Sequence, residues 1–496
     1  MGNRISKERP GGSDLSLFFE PRSIAVIGSL KEGFFGGYVV IKSLLNAGYT
    51  GEIFRINPAN KVVLGLKVYS SIKEVGAKVD LVIIMINARA VPQVLKECAE
   101  KGVKAIILVS DGFAERDQEG ARLQNEIVEI AREWGLRIIG PNTAGIVNTA
   151  NGLNSCPYEA GYYRLKQGPV AICSQSGMSN PQAFSYPNLG MGVSKICDFG
   201  NKCDLNECDM LECLEKDPQT EVISMYLEGI QDGRKFLEIA KRVTAKKPVL
   251  ILKSGRTQEG ARASASHTGS MAIDDQVFES ACNQAGILRL EEFNELFELP
   301  KIFGSQPLPK GNRLGIVSYT GGIGVVALDQ GAKYGLAVTK LTSKTWNMLN
   351  GIFPGLGMMP VDIGPVAPVF KDFLSLYPKI LKAVMADKNV DSVFNVLWAD
   401  SPGNNTDAYI KAYEDIQGDH RKPLATWIYG PNVRMVAELT ERMEDLGFPV
   451  FSKPETSIKA LGLALKYAQI KERNQGIDAN PTQTGYPVGE NRVEGY

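Results

Sequence analysis

One eight-residue pattern occurs twice in this chain, and it limits the fold more than any other feature. Val170-Ala171-Ile172-Cys173-Ser174-Gln175-Ser176-Gly177 and Leu314-Gly315-Ile316-Val317-Ser318-Tyr319-Thr320-Gly321 are each an apolar strand, a hydroxyl residue, a second hydroxyl residue and a glycine that opens a helix. The strands that follow recur as well: 222–227 is echoed by 393–397, and 249–253 by 424–429. Strands alternating with helices predict parallel, doubly wound sheets. An earlier unit shows the same alternation, with strands expected over 24–28, 52–57, 81–86, 105–110 and 136–140 and helices over 38–47 and 91–101. The expectation is therefore an α/β protein of three units: 1–150, 151–306 and 312–475, with a Pro/Gly-rich connector at 304–311 and a polar tail at 476–496. A length of 496 residues agrees with roughly three domains of about 150 residues.

Composition removes several function classes. Basic and acidic side chains balance at 55 each, so nothing in the whole-chain charge points to nucleic acid or an anionic membrane. The longest apolar run, 81–86, is far short of the roughly 18 residues that span a bilayer. Eight cysteines without a CxxC pair argue against zinc, and Cys203, Cys208 and Cys213 read as packing residues; no metal site is expected. The N-terminus lacks a secretory signal, which points to the cytoplasm. Met1-Gly2-Asn3-Arg4-Ile5-Ser6 fits the myristoylation pattern, a short and common match.

The first unit has a phosphate-binding pattern. Strand 24–28 ends at Gly28, and Lys31, Gly33, Gly36 and Gly37 precede a helix. Glycines let backbone N–H groups approach an anion, and the helix N-terminus adds positive potential. NAD-binding sheets usually end their second strand in a carboxylate that holds the ribose hydroxyls. Here that strand ends Ile56-Asn57-Pro58, with Lys61 close by. The substitution disfavours NAD and tolerates a phosphorylated ribose, as in NADP or coenzyme A. Gly140-Pro141-Asn142-Thr143-Ala144-Gly145 closes the last strand at the same edge.

The second unit has the pattern of a phosphohistidine site. Of two histidines, His420 lies in a polar turn, Gln417 to Pro423, and reads as solvent-facing. His267 follows the third strand, in a small-residue segment from Gly260 to Ser270 that reads as a mobile loop. In parallel sheets ligands gather beyond the carboxyl ends of the strands. Three features converge there: the anion seat Ser174-Gln175-Ser176-Gly177, the carboxylate Glu228 and the imidazole of His267. A carboxylate can fix one ring nitrogen and leave the other nucleophilic, while a helix N-terminus holds phosphoryl oxygens. The third unit repeats the helix opening but has Leu397-Trp398-Ala399, near Asp400, in place of the glutamate turn, and no histidine after Tyr429. It reads as a scaffold or subsite, and Asp362 as a local cap.

These residues resemble the α-subunit of the ADP-forming (NDP-forming) acyl-CoA synthetases, relatives of succinyl-CoA synthetase, over about residues 15–470. The matching pieces are 23–28, Asn57-Pro58, Gly140-Pro141-Asn142, Ser174-Gln175-Ser176-Gly177, Gly200-Asn201-Lys202, Tyr226-Leu227-Glu228-Gly229 and Ser266-His267-Thr268-Gly269-Ser270. The resemblance implies a Rossmann-like CoA-binding domain followed by two flavodoxin-like ligase domains. It implies that His267 is phosphorylated and Glu228 orients it, that Ser176 and Gly177 hold the phosphoryl group, and that Gly28, Ser29, Asn57, Pro58 and Asn142 lie along CoA. The family's ATP-grasp module has no counterpart here. The implied partner is therefore an ATP-grasp β-subunit carrying ATP or ADP and Mg2+, in an α2β2 assembly, with a small carboxylic acid, CoA and phosphate as reactants. Lys31-Glu32-Gly33-Phe34-Phe35 is bulkier than the usual loop, Pro181 and Pro187 fall in or near the helix after Gly177, and Met359-Pro360 replaces the usual Asn-Pro. Two other readings stand beside the ligase: a non-catalytic CoA- or acyl-CoA-binding regulatory protein on the same scaffold, and an NADP-linked oxidoreductase, for which no hydride-handling pair stands out.

Overall fold

The computed structural model describes residues 15–59, 61–158, 165–177, 190–268, 274–370, 373–399, 405–418 and 421–474, without the side chains of 264–268 and 405. The myristoylation-like hexapeptide, Pro181, Pro187, Asp400, His420 and the tail 476–496 lie outside the described residues.

Three sheets follow one another along the chain. In the first, strand Ser23–Gly28 lies between Glu52–Ile56 and Leu81–Met85, all parallel. Ala105–Leu108 and Arg137–Ile139 extend one side, and Leu66–Tyr69 with Val62–Val63 the other. Leu81, Val82, Ile83 and Ile84 are fully buried, because helices cover both faces; this is why the strand reads as an unbroken apolar run. Strand order reverses beside Ser23–Gly28, which opens a crevice at that strand's carboxyl end.

The second sheet runs Leu288–Arg289, Val249–Lys253, Val222–Leu227, Gln167–Ser174, Val193–Asp198, Ile146–Asn148, Leu153–Asn154. The last two form an antiparallel edge, so the sequence boundary at residue 150 falls inside their hairpin. The third sheet orders Val450–Phe451, Leu424–Tyr429, Ser392–Trp398 and Arg313–Ser318 as their counterparts stand in the second. The counterpart of Val193–Asp198 is split there into two short strands, Ala337–Val338 and Val361–Asp362, paired with opposite ends of Arg313–Ser318. The internal duplication is thus carried by topology as well as by sequence.

The three sheets are not separate beads. One apolar core contains Val26 and Ile83 of the first unit with Cys173, Met225 and Ile251 of the second. Another contains Leu250 and Leu252 of the second with Phe394, Val396 and Ala425 of the third. The final helix, Pro454–Asn474, adds Ile458, Leu461 and Leu465 to that second core. Buried ion pairs line the same seam: Lys459 Nζ lies 2.6 Å from Glu295 Oε1, and Lys301 Nζ 2.7 Å from Glu444 Oε1.

One expectation fails. The segment before residue 269, which reads as a mobile loop in the sequence, is the helix Gln258–Thr268. Thr257 caps it, its Oγ1 accepting from Gly260 N at 3.1 Å and its carbonyl from Ala261 N at 2.8 Å. Small residues suit loops, but alanine is also the strongest helix former, and Ala261, Ala263 and Ala265 fill the segment.

Candidate active site between the first two sheets

The crevice of the first sheet is a cavity of about 540 Å3 walled by Gly28, Ser29, Asn57, Pro58, Ser71 and Val94, among others. Gly28 cannot carry a side chain, since a Cβ there would stand 2.5 Å from the Met85 carbonyl oxygen. Asn57 Nδ2 donates to the Gly28 carbonyl at 2.7 Å, and Asn57 Oδ1 accepts from Ala59 N at 2.8 Å. Asn57 therefore ties two strand-end loops together where a NAD-binding sheet would offer a carboxylate. Helix Gly37–Ala47 starts at the rim, with Tyr38 N donating to the Ser29 carbonyl. Lys61 is exposed and is not among the described wall residues.

A second cavity of about 600 Å3 shares Ser29, Met85, Ile86 and Asn87 with the first and reaches into the second unit. Its far wall holds Gln175, Ser176, Gly177 and Asp198, with Asn142 beside them. Asn142 sits in a left-handed conformation, φ 59°, and its N–H donates to the Ser110 carbonyl at 2.9 Å. Phe35 and Tyr158 pack ring to ring at 5.0 Å on the same cavity wall.

Ser174 shapes the turn at the end of its strand. Its Oγ donates to the Ser176 carbonyl at 2.7 Å and accepts from Ser176 N at 3.0 Å. The third unit repeats the arrangement, with Ser318 Oγ donating to the Thr320 carbonyl at 2.6 Å. Gln175, 3% exposed, turns inward; its Oε1 accepts from Glu228 N at 2.9 Å and Gly229 N at 3.2 Å. Glu228 is buried behind the cavity, and Tyr226 OH donates to its Oε1 at 3.4 Å. Lys202 grips the same turn from the other side, donating to the Gly229 carbonyl at 2.7 Å and to Glu207 Oε2 at 2.9 Å. These bonds give the Gly200-Asn201-Lys202 motif a physical role. Gly200, at φ 54°, lets the chain pass where a Cβ would stand 2.2 Å from the Pro141 carbonyl oxygen.

In the sequence Gln175 and Lys202 stand in motifs without a role of their own, and Asp198 does not stand out at all. Asp198 ends strand Val193–Asp198 directly beside Ser174. It is 2% exposed. Oδ2 accepts from Ala144 N at 2.5 Å and Oδ1 from Gly200 N at 3.2 Å. Burial, with the Glu228 charge adding to it, pushes its carboxyl up to about 6. Its counterpart is Asp362, paired with Ser318, whose Oδ1 accepts from Gly364 N at 2.9 Å. One local signal could have found it: Asp-x-Gly follows a strand in both copies.

The raised carboxyl has a stability consequence. Between the ordinary aspartate value and about 6 the folded chain holds a proton that the unfolded chain has released, so stability falls as pH rises through that window. An amide at this position does not titrate. The Asp198→Asn chain should gain on wild type by about 2 kcal/mol between pH 4 and pH 7, at roughly 1.4 kcal/mol per unit, read from urea unfolding at both pH values.

The His267 side chain lies outside the described residues. Its backbone lies in helix Gln258–Thr268, which leaves the sheet's carboxyl edge after strand Val249–Lys253, where Ser254 N donates to the Leu227 carbonyl. Ser176, Gly177, Gly28, Ser29, Asn57, Pro58 and Asn142 are thus brought to two adjoining cavities, with Glu228 behind one of them.

Comparison with known proteins follows this layout. Residues 22–149 match the CoA binding domain, and residues 167–303 match the succinyl-CoA ligase like flavodoxin domain. The acetate–CoA ligase [ADP-forming] II subunit alpha of Pyrococcus furiosus is 36% identical over 471 residues, covering 94% of this chain and 100% of the relative. The chain belongs to the ADP-forming acyl-CoA ligase family. Members of this family are acid–thiol ligases. The acetate–CoA ligase [ADP-forming] II of Archaeoglobus fulgidus is also 36% identical, over 92% of this chain and 67% of the relative. The Pyrococcus α-subunit is therefore matched end to end, and the longer Archaeoglobus ligase over about two-thirds of its length. The dinucleotide-forming acetyl-coenzyme A synthetase 1 of Ca. Korarchaeum cryptofilum, solved with phosphate and ADP, superposes at a TM-score of 0.84. It shares 30% identity over 94% of this chain and 100% of that one. The α/β architecture expected from the sequence is the family architecture. No helix among the described residues is long and apolar enough to cross a membrane.

Proposed function

We propose that this chain is the α-subunit of an ADP-forming acyl-CoA synthetase. It interconverts a carboxylate, coenzyme A and ATP with acyl-CoA, ADP and phosphate. The observation that carries the reading is the pair of adjoining cavities: a crevice of the CoA-domain type shares four wall residues with a cavity walled by Ser176 and Gly177. CoA is a substrate here, and the crevice suits it. Asn57 replaces the carboxylate that would repel a phosphorylated ribose, and the glycine turn clears space for a pyrophosphate.

In this reading an acyl phosphate lies against Ser176 and Gly177, with the Gly177 N–H and the Ser176 hydroxyl as donors to the phosphoryl oxygens. The thiol displaces phosphate, and His267 carries the phosphoryl group between this cavity and a nucleotide site. Glu228 orients the imidazole, Gln175 and Lys202 holding its turn in place. His267 lies nine residues along helix Gln258–Thr268, a rise of about 14 Å. Delivery therefore needs that helix to swing or unwind, which its 11 residues make inexpensive, isolated helices under ~12–15 residues being marginal. ATP and Mg2+ belong to an ATP-grasp β-subunit in an α2β2 assembly; the Pyrococcus relative is itself named a subunit.

The test is reconstitution. The chain is mixed with an ATP-grasp partner, ATP, Mg2+, CoA and a panel of carboxylic acids, and ADP and thioester are measured together. Equal amounts of both with at least one acid are expected. CoA binding without ADP release from any acid would leave the non-catalytic CoA-binding reading standing instead.

A further inference from the structure

The ligase chemistry requires a proton to leave the CoA thiol, and none of the residues assigned so far takes it. Thiols titrate near 8–9 and only the thiolate attacks, so at neutral pH an acceptor must stand where the sulfur meets the acyl carbon. In the ligase reading that place is the cavity wall at Ser176 and Gly177, in the cavity that shares Ser29 and Asn87 with the CoA crevice.

Among the described wall residues the carboxylates are Asp111 and Asp198, and lysine, arginine and histidine are absent. Asp111 also walls a smaller hollow with Gly112 and Arg116. Asp198 stands beside Gly177: Oδ2 lies 3.9 Å from the position a Cβ there would occupy. Each of its oxygens takes one backbone N–H, from Ala144 and Gly200, which aims the carboxyl, and the Thr143 hydroxyl stands against it as well.

We propose that Asp198 is the proton acceptor for the CoA thiol as it attacks the acyl phosphate, and the donor to the leaving thiolate in reverse. The proposal rests on the ligase reading. Asp198 takes the S–H proton while the sulfur forms its bond to the acyl carbon. The bond from that carbon to the phosphate oxygen breaks, its electron pair leaves with phosphate, and the proton returns from Asp198 to the phosphate. No other reactant is consumed. Burial, with the Glu228 charge adding to it, lifts the carboxyl towards neutrality, and burial and the Asp198 charge in turn raise the Tyr158 phenol and the Cys197 thiol. A base poised there accepts a proton and releases it within one turnover.

The two half-reactions separate this role from the ligase reading. Labelling of the reconstituted complex by ATP needs no thiol; thioester formation from acetyl phosphate and CoA, or from the acyl phosphate of the best acid in the panel, needs no nucleotide. Asp198→Asn should label within about twofold of wild type. It should form thioester 10²- to 10⁴-fold more slowly, with KM for CoA little changed and the acid limb near pH 6 gone from the rate profile. Asp198→Glu, which restores a carboxyl, should recover part of the rate and regain a limb. Unchanged thioester formation, a limb retained in Asp198→Asn, or equal loss in both half-reactions would overturn the proposal, the last marking a scaffold role. A wild-type complex that neither labels nor releases ADP would instead sink the ligase reading.

Discussion

His267→Ala is expected to abolish acid-labile labelling from ATP and to lower ADP-coupled turnover by at least about 10⁴-fold, the scale seen when a covalent nucleophile is removed. The chain holds only one other imidazole, His420, in the polar stretch before strand Leu424–Tyr429, so no neighbouring ring can substitute. His267→Asn should fail equally, because an amide cannot carry the phosphoryl group. Thioester formation from acyl phosphate and CoA should persist in both variants, since that step bypasses the histidine. The check is filter-bound label from ATP with the β-subunit present, before and after acid. Label that survives in the His267→Ala chain would place the phosphoryl group elsewhere, and the shuttle would have to be abandoned.

Lys202→Met should produce the largest loss of stability. Lys202 is 2% exposed and Glu207 0% exposed. Removing the ammonium leaves a buried carboxylate whose Oε2 has lost its partner at 2.9 Å, and strands the Gly229 carbonyl as well. Breaking one side of such a pair costs about 3–5 kcal/mol. The chain's urea transition should move to lower denaturant accordingly. Lys202→Met with Glu207→Gln should recover much of the loss, because the charge is gone. A single variant as stable as wild type would show that the pair is hydrated. Loosening the Gly229 turn should also reduce phosphohistidine formation more than CoA binding, since Glu228 rides on that turn.

Much of this architecture is legible in local pattern. Strands such as Leu81–Met85 are covered on both faces and announce themselves as apolar runs. The duplication can be read because Ser174 and Ser318 each need a hydroxyl to build the same turn. The helix Gln258–Thr268 is hidden because small residues serve both mobile loops and helices, and its single cap, Thr257, is a weak sign. Strand Val193–Asp198 also escapes a reading by pattern, and Asp198 with it.

The amino-acid order alone carried the α/β class, the repeat of the second sheet in the third, and the family. Each depends on residues close in the chain, where spacing and conformational preference leave a mark. Folding alone decided that Gln175 clasps the Glu228 turn 53 positions away, and that Asp198 reaches Ala144 across 54. It also decided that the last helix joins two sheets in one core. Such contacts exist because apolar faces must leave water together, and a buried polar group then takes whichever partner the packing delivers, however distant in sequence.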